Sequence, residues 1–393
     1  MIIIGILFFI FGFVTWLNGS LIPFLKLILE LNDFEALFVT FAFYIAYTVM
    51  ALPMSYLLNR YGYKNGMMIG LSIMGIGSLL FIPAALNAQY FLFLLALFTL
   101  GSGLTILQTA SNPYVVALGD KKSAAKRISI MGIINKTAGV LVPLLFTALI
   151  FSDINSFNTT ALSALDKETL ASRLITPYLI MAITLFGLIL FVKYSKLQEI
   201  SFEDDAKEVK TNILAYPQIV LGSIALFFYV GIEVIAGDTI GLYGSSLGLE
   251  NYTMFTSITM VFMVIGYTLG IFLIPKIISQ EKALLLSSIF GMIFLIAVLN
   301  TDGAISLFFV AMLGLANALI WPTIWPLALD GLGKHTAQGS ALLIMGIAGG
   351  AILPLLFGKI AQISSIQNAY IVGFLCYGFI LYYALNGHKK RSW

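Results

Sequence analysis

Five polar side chains interrupt stretches of the chain that are otherwise apolar: Asn18, Gln108, Asn112, Asn135 and Lys136. Gln108 and Asn112 are four residues apart, so they share one face of a helix. Each amide can donate and accept hydrogen bonds, which suits a ligand that carries several hydroxyl groups. The alternative is that the amides join helices to one another. Together with the Lys136 ammonium, they predict a small polar binding site inside a membrane protein.

Two acidic side chains, Glu233 and Asp238, lie within the apolar stretch 217–243, and no other acid lies inside a predicted helix. Glycines at 231, 237 and 241 punctuate this stretch, which predicts local unwinding. An acid beside free backbone carbonyls is a common way for transporters to bind Na⁺ or a proton. We therefore expect Glu233 to couple transport to an ion, with Asp238 as the second candidate. The alternative is a purely structural ion pair.

Lys136 needs a partner, because a charged side chain within lipid costs about 2.5 kcal/mol or more. It could pair with Glu233 or Asp238, donate to hydroxyl groups of a substrate, or stand where a co-transported cation would otherwise bind. We favour the ion pair, because an unpaired buried ammonium tends to lose its proton. A pair that forms in only one state of transport would be both structural and functional.

Aromatic side chains at similar depth could cover the apolar faces of a ligand. They are Trp321, Trp325, Tyr229 and Tyr44. Trp321 and Trp325 are four residues apart, and each is followed by a proline, which predicts a kinked helix with one exposed aromatic face. Aromatic residues also fill the cores of helical proteins, so packing is the alternative. We favour Trp321 over Trp325 as a ligand contact.

The composition excludes a water-soluble globular protein. Hydrophobic residues make up 60% of the 393 residues and charged residues only 10%, whereas soluble domains carry about 25% charged residues. The net charge of +3 is scattered and predicts no nucleic-acid partner. The single cysteine, Cys376, excludes an internal disulfide and a thiolate metal site. The chain opens on an apolar run without a basic segment or cleavage site, so we expect a membrane helix there rather than a signal peptide.

The apolar runs predict an all-α membrane protein with twelve transmembrane helices. They lie at 3–25, 36–58, 67–86, 90–116, 128–152, 174–194, 217–243, 252–274, 283–300, 304–328, 339–358 and 369–386. The longest polar stretch follows the sixth run. We therefore expect an N-terminal six-helix bundle over 1–194, a cytoplasmic linker over 195–216, and a C-terminal six-helix bundle with a short basic tail over 217–393.

Internal repeats indicate that the two bundles are related by pseudo-symmetry. The tetrapeptide IMGI occurs at 130–133 and 344–347, and PLLF occurs at 143–146 and 354–357. The two offsets are nearly equal, and the first and seventh predicted helices begin at a similar offset. The major facilitator arrangement consists of two parallel halves with a substrate site between them.

The distribution of Lys and Arg predicts the orientation of the chain. If both termini are cytoplasmic, most of the 21 basic residues lie on the cytoplasmic side. Only four then lie outside: Lys26, Lys167, Arg173 and Lys359. The positive-inside rule supports this orientation and opposes its inverse. We expect a multi-pass protein of the bacterial inner (plasma) membrane.

Several segments resemble the fucose–galactose–gluconate:proton symporter family of the major facilitator superfamily. They are QTASNPYVVALG with the AAKR loop after it, IWPTIWPLALDGLG, WLNGSLIPFL, AFYIAYTVMALP and YVGIEVIAGD. Within that family, the chain looks most like bacterial glucose/galactose and N-acetylglucosamine transporters. The resemblance covers essentially the whole chain and implies a sugar importer that works by alternating access.

Two positions depart from this family. The family's fucose permease has an aspartate where this chain has Gly19 and a glutamate where it has Gln108. Those two acids are the family's candidates for proton coupling, so coupling through them does not carry over to this chain. Na⁺ coupling, or facilitated uptake without an ion, therefore becomes a serious alternative.

The sequence thus predicts a secondary active importer of a hexose or N-acetylhexosamine, coupled to a cation gradient. The alternatives are a facilitated sugar uniporter and a drug or metabolite exporter on the same fold. An enzyme is not expected, because the string GLGKHT at 331–336 lacks the spacing of a phosphate-binding loop and no HExxH motif occurs. We expect a monomer in the lipid bilayer, with no cofactor apart from a co-transported Na⁺ or H⁺.

Overall fold

The chain folds into a bundle of long helices. The computed structural model describes residues 2–117, 124–150, 163–195, 197, 213–274, 277–332 and 336–393. Within these ranges every regular element is an α-helix or a short 3₁₀-helix. The predicted all-α class is confirmed.

Twelve helical spans in the described ranges are long and apolar enough to cross a membrane. In chain order they are Ile2–Leu29, Asp33–Ala51, Tyr63–Leu86, Tyr90–Ser111, Ile130–Ile150, Leu165–Lys193, Pro217–Ser246, Tyr252–Leu273, Gln280–Asn300, Gly303–Leu329, Ala341–Ile363 and Ile366–Lys389, here called spans 1 to 12. The helices of spans 2, 4 and 5 extend further, to Phe38–Tyr61, Tyr90–Ala117 and Ala124–Ile150. The predicted number of spans is confirmed, and most boundaries move by only a few residues. The predicted linker lies largely outside the described residues, so the division into 1–194 and 217–393 stays a prediction.

Spans 1 and 7 are both broken at a single residue. Span 1 consists of the helices Ile2–Trp16 and Asn18–Leu29, and span 7 consists of Pro217–Asp238 and Ile240–Ser246. The break in span 7 falls at Thr239, between Gly237 and Gly241, within the segment where the glycines at 231, 237 and 241 predicted local unwinding. Gly231 itself lies within continuous helix. An added Cβ would lie 2.1 Å from Leu353 at Gly231 and 2.5 Å from Trp16 at Gly237.

Span 10 is broken just before its tryptophans. Its two helices, Gly303–Asn317 and Ile320–Leu329, meet at Ala318 and Leu319. Pro322 lies in the first turn of the second helix, where a missing backbone N–H costs nothing. The predicted kink therefore takes the form of a break that directly precedes Trp321.

Helices of the two predicted halves meet along two lines. Span 5 packs against span 8, and span 2 packs against span 11. Glycines allow close approaches along both lines: an added Cβ would lie 2.9 Å from Met260 at Gly139 and 2.5 Å from Leu37 at Gly358. Spans 1 and 7 contribute residues to the site together with six other spans.

Candidate functional site

A cavity lies between spans 1, 2, 4, 5, 7, 8, 10 and 11. Its empty volume is about 860 Å³ when the space at its open side is included. Its polar and aromatic lining is Phe8, Phe11, Thr15, Trp16, Tyr44, Tyr47, Gln108, Asn135, Lys136, Tyr229, Glu233, Tyr267 and Trp321. The cavity brings together residues from distant parts of the chain, including most of the residues predicted from the sequence.

An ion pair between Lys136 of span 5 and Glu233 of span 7 lies at the cavity wall. Lys136 Nζ is 2.9 Å from Glu233 Oε1, and both side chains are almost fully buried. Tyr229 stands one helical turn before Glu233 and donates its hydroxyl to the same oxygen at 2.6 Å. Three roles were considered for Lys136, and the structure shows the ion pair with an acid of span 7. The pair joins the two predicted halves of the chain.

Trp16 and Asn135 hold Lys136 in place. The ammonium lies 4.1 Å from the centre of the Trp16 ring, an arrangement that favours a cation. Trp16 Nε1 donates to Asn135 Oδ1 at 3.4 Å, and Asn135 Nδ2 donates to the Phe8 carbonyl at 3.2 Å. Both ends of the Asn135 amide are thus bonded to span 1. Asn135 lines the cavity, and its bonds fit the alternative role of joining helices.

Gln108 lies on the wall formed by span 4. Its Nε2 donates to the Tyr47 hydroxyl at 2.8 Å, and the Tyr47 ring stacks on Tyr44 with ring centres 6.2 Å apart. A carboxylate at position 108 could not donate this bond and would instead have to accept one from the Tyr47 hydroxyl. Asn112 is one turn further along the same helix, but its side chain lies outside the described residues.

The aromatic wall of span 10 consists of Trp321 with Trp325 behind it. Trp321 lines the cavity, and its ring centre is 6.2 Å from that of Tyr229. Trp325 stacks on Trp321 at 5.3 Å between ring centres but does not line the cavity. Of the two tryptophans, Trp321 is the one in a position to contact a ligand.

Asp238 and Asn18 do not line the cavity. They are 0% and 1% exposed, and they stand beside the breaks in spans 7 and 1. Neither carboxylate oxygen of Asp238 nor Nδ2 of Asn18 has a hydrogen-bond partner among the residues that the structure describes. Both residues thus belong to the buried region behind the cavity rather than to its surface.

One end of the bundle is closed by polar contacts between spans 1, 5 and 8. Ser20 donates its hydroxyl to the Thr253 carbonyl at 2.8 Å, and the hydroxyls of Thr147 and Thr253 are 2.6 Å apart. We call this the Thr253 end. The cavity instead extends to Phe8 and Ile128, which lie within two turns of the beginning of spans 1 and 5. The cavity therefore reaches toward the opposite end of the bundle.

Several cavity residues were not predicted from the sequence, above all Trp16, Tyr47 and Tyr267. Tyr44 and Tyr47 are three residues apart, so helical spacing alone could have added Tyr47 to the predicted wall. Trp16 and Tyr267 carry no comparable signal, because a lone aromatic residue in an apolar helix is usually a packing residue.

The tight packing of Gly19 accounts for one departure from the family pattern. An added Cβ at Gly19 would lie 2.3 Å from Thr256 Oγ1 and 3.1 Å from the Gly237 carbonyl oxygen. An aspartate at this position would therefore force spans 1, 7 and 8 apart. The structure has no room for the acid that the resembling family carries there.

Comparison with known proteins gives consistent matches along the whole chain. The Major Facilitator Superfamily profile matches residues 4–354. A glucose/galactose transporter of Brucella abortus is 36% identical over 98% of this chain and 93% of its own length. A putative glucose/galactose transporter of Helicobacter pylori is 33% identical over 98% of this chain and 96% of its own length.

A crystal structure of the transporter FucP in the outward conformation is similar over 97% of both chains, with a TM-score of 0.76 and 24% sequence identity. At that identity the likeness concerns the fold. With the profile match, it confirms the predicted major facilitator fold.

Proposed function

The chain belongs to the Major Facilitator Superfamily, and from this premise we propose that it is a secondary active importer of sugars. The family is one of transporters, so transport rather than catalysis is the activity to explain. One observation carries the proposal: a cavity lined by an amide, an ion pair and a tryptophan face lies between both halves of the sequence, and the ion pair joins those halves. A site at that position can be exposed to either side of a membrane in turn.

The chemistry of the cavity suits a sugar. Gln108, Lys136 and Glu233 offer hydrogen-bond donors and acceptors for hydroxyl groups, and Trp321 offers a flat apolar surface for the C–H face of a ring. The similar transporters of Brucella and Helicobacter are named for glucose and galactose. We propose a hexose or N-acetylhexosamine as the substrate. An exporter of amphipathic drugs is less suited, because this wall is rich in groups that bind hydroxyls.

Alternating access follows from the contacts that close the Thr253 end. In the orientation proposed from the positive-inside rule, both termini are cytoplasmic and the Thr253 end faces outward. The described arrangement is then closed to the outside, while the cavity reaches toward the cytoplasm. Opening the outer end requires breaking the contacts of Ser20 and Thr147 with Thr253. We propose a monomer in the bacterial inner membrane as the working unit.

Coupling to a cation gradient is part of the proposal. Glu233 and Asp238 stay the candidate carboxylates, because the positions of the family's proton-coupling acids are Gly19 and Gln108 here. Glu233 is held by Lys136 and Tyr229 in this arrangement. Its role is then to link the halves in one state of transport and to release Lys136 in the other. A uniporter with the same cavity would bind sugar without using either acid.

Sugar counterflow in proteoliposomes tests the substrate class directly. Vesicles loaded with an unlabelled hexose should take up the same labelled hexose transiently, without any ion gradient. A panel of glucose, galactose, N-acetylglucosamine and fucose identifies the substrate. If none of these sugars exchanges while an amphipathic drug does, the exporter is the correct reading.

Truncating the cavity tryptophan should weaken sugar binding. We expect Trp321→Ala to raise the KM for sugar exchange about tenfold, corresponding to the loss of roughly 1.4 kcal/mol of contact with the ring. KM is measured by counterflow, and the melting temperature of the purified variant is measured beside it.

Trp325→Ala is the matched control, because Trp325 stacks behind Trp321 and does not line the cavity. Its KM should stay within about threefold of the parent value. Equal increases for both variants would show that the pair acts through packing and not through contact with sugar.

Weakening the closed Thr253 end should shift the protein toward opening there. Thr147→Val removes the hydroxyl that meets Thr253 at 2.6 Å. The loss of one buried hydrogen bond, about 1 kcal/mol, changes the ratio of open to closed states about fivefold. Opening should lengthen the distance between spin labels at Gln89 and Glu250, two exposed positions. Pulsed electron paramagnetic resonance measures this distance. The single native cysteine, Cys376, is buried and does not compete for label.

Thr137→Val is the control for this shift. Thr137 lies on the same helix, but its hydroxyl bonds to the Ile133 carbonyl of its own span. The distance distribution should not change in this variant. An equal shift in both variants, or none in Thr147→Val, would contradict the role of the Thr253 contacts.

A further inference from the structure

We propose that Asp238 and Thr40, with the Asn18 amide beside them, form a Na⁺ site behind the sugar cavity. The inference deepens the proposed function, since it names the coupled ion and the residues that hold it. It starts from polar atoms that the fold buries without giving them partners.

The unpaired atoms lie in the region where spans 1, 2 and 7 meet. Both oxygens of Asp238 and the hydroxyl of Thr40 are buried, and none has a hydrogen-bond partner among the described residues. The Thr40 hydroxyl faces Asp238 closely enough to interact with it, although the two do not reach hydrogen-bond geometry. Buried polar groups in native proteins almost always have partners, so a cluster of unpaired atoms points to a missing ligand.

Asn18 lies in the turn of span 1 that packs against span 7, which makes it the candidate for a third oxygen donor. An added Cβ at Gly19 would lie 3.1 Å from the Gly237 carbonyl oxygen, so this turn of span 1 packs directly against the turn of span 7 that carries Asp238. The Asn18 side chain is 1% exposed, and its Nδ2 has no partner among the described residues. An amide can turn its oxygen toward a cation, which makes Asn18 a third oxygen donor.

The helix breaks make this position suitable for a cation. Span 1 is interrupted at Leu17 and span 7 at Thr239, next to Asn18 and Asp238 respectively. The backbone carbonyls around both breaks keep hydrogen bonds, including Leu21 N–H to the Leu17 carbonyl and Thr239 N–H to the Ile235 carbonyl. The oxygen donors assigned to the ion are therefore side chains, and helix breaks beside an acid are a recurrent setting for Na⁺ or H⁺ in membrane transporters.

When ionised, the buried side chains carry one net negative charge, which one additional positive charge would neutralise. Three Lys, Arg, Asp or Glu side chains are buried in the part of the chain that the structure describes: Lys136, Glu233 and Asp238. Lys136 neutralises Glu233 through the 2.9 Å pair, which leaves Asp238 as a second carboxylate with no counter-charge of its own. A bare buried carboxylate is strongly unfavourable. One monovalent cation at Asp238 makes the whole group neutral.

The donor set favours Na⁺ over a divalent metal or a proton. The described residues contain no group of three His, Cys, Asp or Glu side chains that could hold a metal ion, and a divalent ion would leave the group with an excess positive charge. A proton would neutralise Asp238 but would use only one of its oxygens. Na⁺ is a hard cation that accepts carboxylate, hydroxyl and amide oxygens together, which are the atoms present here.

Binding of Na⁺ to the purified protein tests this site without sugar. The melting temperature in NaCl is compared with that in choline chloride at equal ionic strength, and ²²Na⁺ binding gives the stoichiometry. We expect a saturable rise in the melting temperature with Na⁺ and one bound ion per chain, because a ligand that binds only the folded state stabilises it. Asp238→Asn should abolish both signals, and Thr40→Val should weaken Na⁺ binding about tenfold through the loss of one oxygen donor.

Thr48→Val is the matched control, because Thr48 lies on the same helix about two turns from Thr40. Na⁺ binding should be unchanged in this variant. Na⁺ binding that persists in Asp238→Asn would overturn the assignment, and so would a wild-type protein that responds to acidification but not to Na⁺. Failure of sugar counterflow with Na⁺ binding intact would instead reject the sugar transporter and leave the Na⁺ site standing.

Discussion

Glu233→Gln should abolish the accumulation of sugar against its gradient while leaving sugar exchange within about threefold of wild type. The substitution keeps the shape of the side chain but removes its charge, so Lys136 loses the partner that it meets at 2.9 Å. Asp238 lies close enough to Lys136 to interact with its charge, and the freed ammonium then neutralises Asp238. A co-transported cation loses its place, because the buried group is already neutral.

Accumulation under an imposed gradient and counterflow without a gradient are measured on the same proteoliposomes. Glu250→Gln is the matched control, because Glu250 is an exposed glutamate between spans 7 and 8. Both activities should be preserved in this control. Accumulation that survives in Glu233→Gln would show that the ion pair has no part in coupling.

Lys136→Met should have the largest effect on stability, because it leaves two buried carboxylates without a positive charge. Removing one partner of a buried ion pair costs roughly 3–5 kcal/mol. The cation–aromatic contact with Trp16 at 4.1 Å is lost as well. Thermal unfolding of the purified protein in lipid nanodiscs measures the loss.

The double variant Lys136→Met/Glu233→Gln isolates the pair itself. With the second charge removed, most of the stability lost in Lys136→Met should return, so the effects of the two substitutions should be strongly non-additive. Simple addition of the two losses would mean that Lys136 stabilises the fold through its aliphatic chain and not through Glu233.

The charged residues of the site were visible in the sequence because charge is conspicuous in an apolar run. Lys136, Glu233 and Asp238 each interrupt a predicted span, and each is buried in the structure. The partner of Lys136 was not decided by the sequence. Glu233 and Asp238 are five residues apart, so they point about 140° away from each other around a helix. Which of them faces span 5 depends on how the helices are rotated against one another.

The depth of the amides and tryptophans was harder to predict. Trp321 and Trp325 share a helix face and stack on each other, but only Trp321 lines the cavity. Asn18 was expected at the sugar site, and the structure instead places it behind the cavity wall. A linear pattern gives the position of a residue along its span, whereas the distance of that residue from the central axis depends on neighbouring spans.

Glycines in span 7 were interpreted as points of unwinding, and some of them also act as points of contact. Gly231 lies in continuous helix, while the break falls at Thr239, between Gly237 and Gly241. Small residues let membrane helices approach closely, and here they bring span 7 against Leu353 and Trp16. The same composition is compatible with both uses, so composition alone cannot distinguish them.

Gradient-driven uptake is the measurement that tests the central claim most directly. Proteoliposomes are supplied with the hexose identified by counterflow, under a Na⁺ gradient alone, a proton gradient alone, or no gradient. We expect accumulation above the external sugar concentration with the Na⁺ gradient, and equilibration without accumulation when no gradient is imposed. Accumulation driven only by protons would contradict Na⁺ coupling, and the absence of sugar uptake under every gradient would contradict the sugar importer itself.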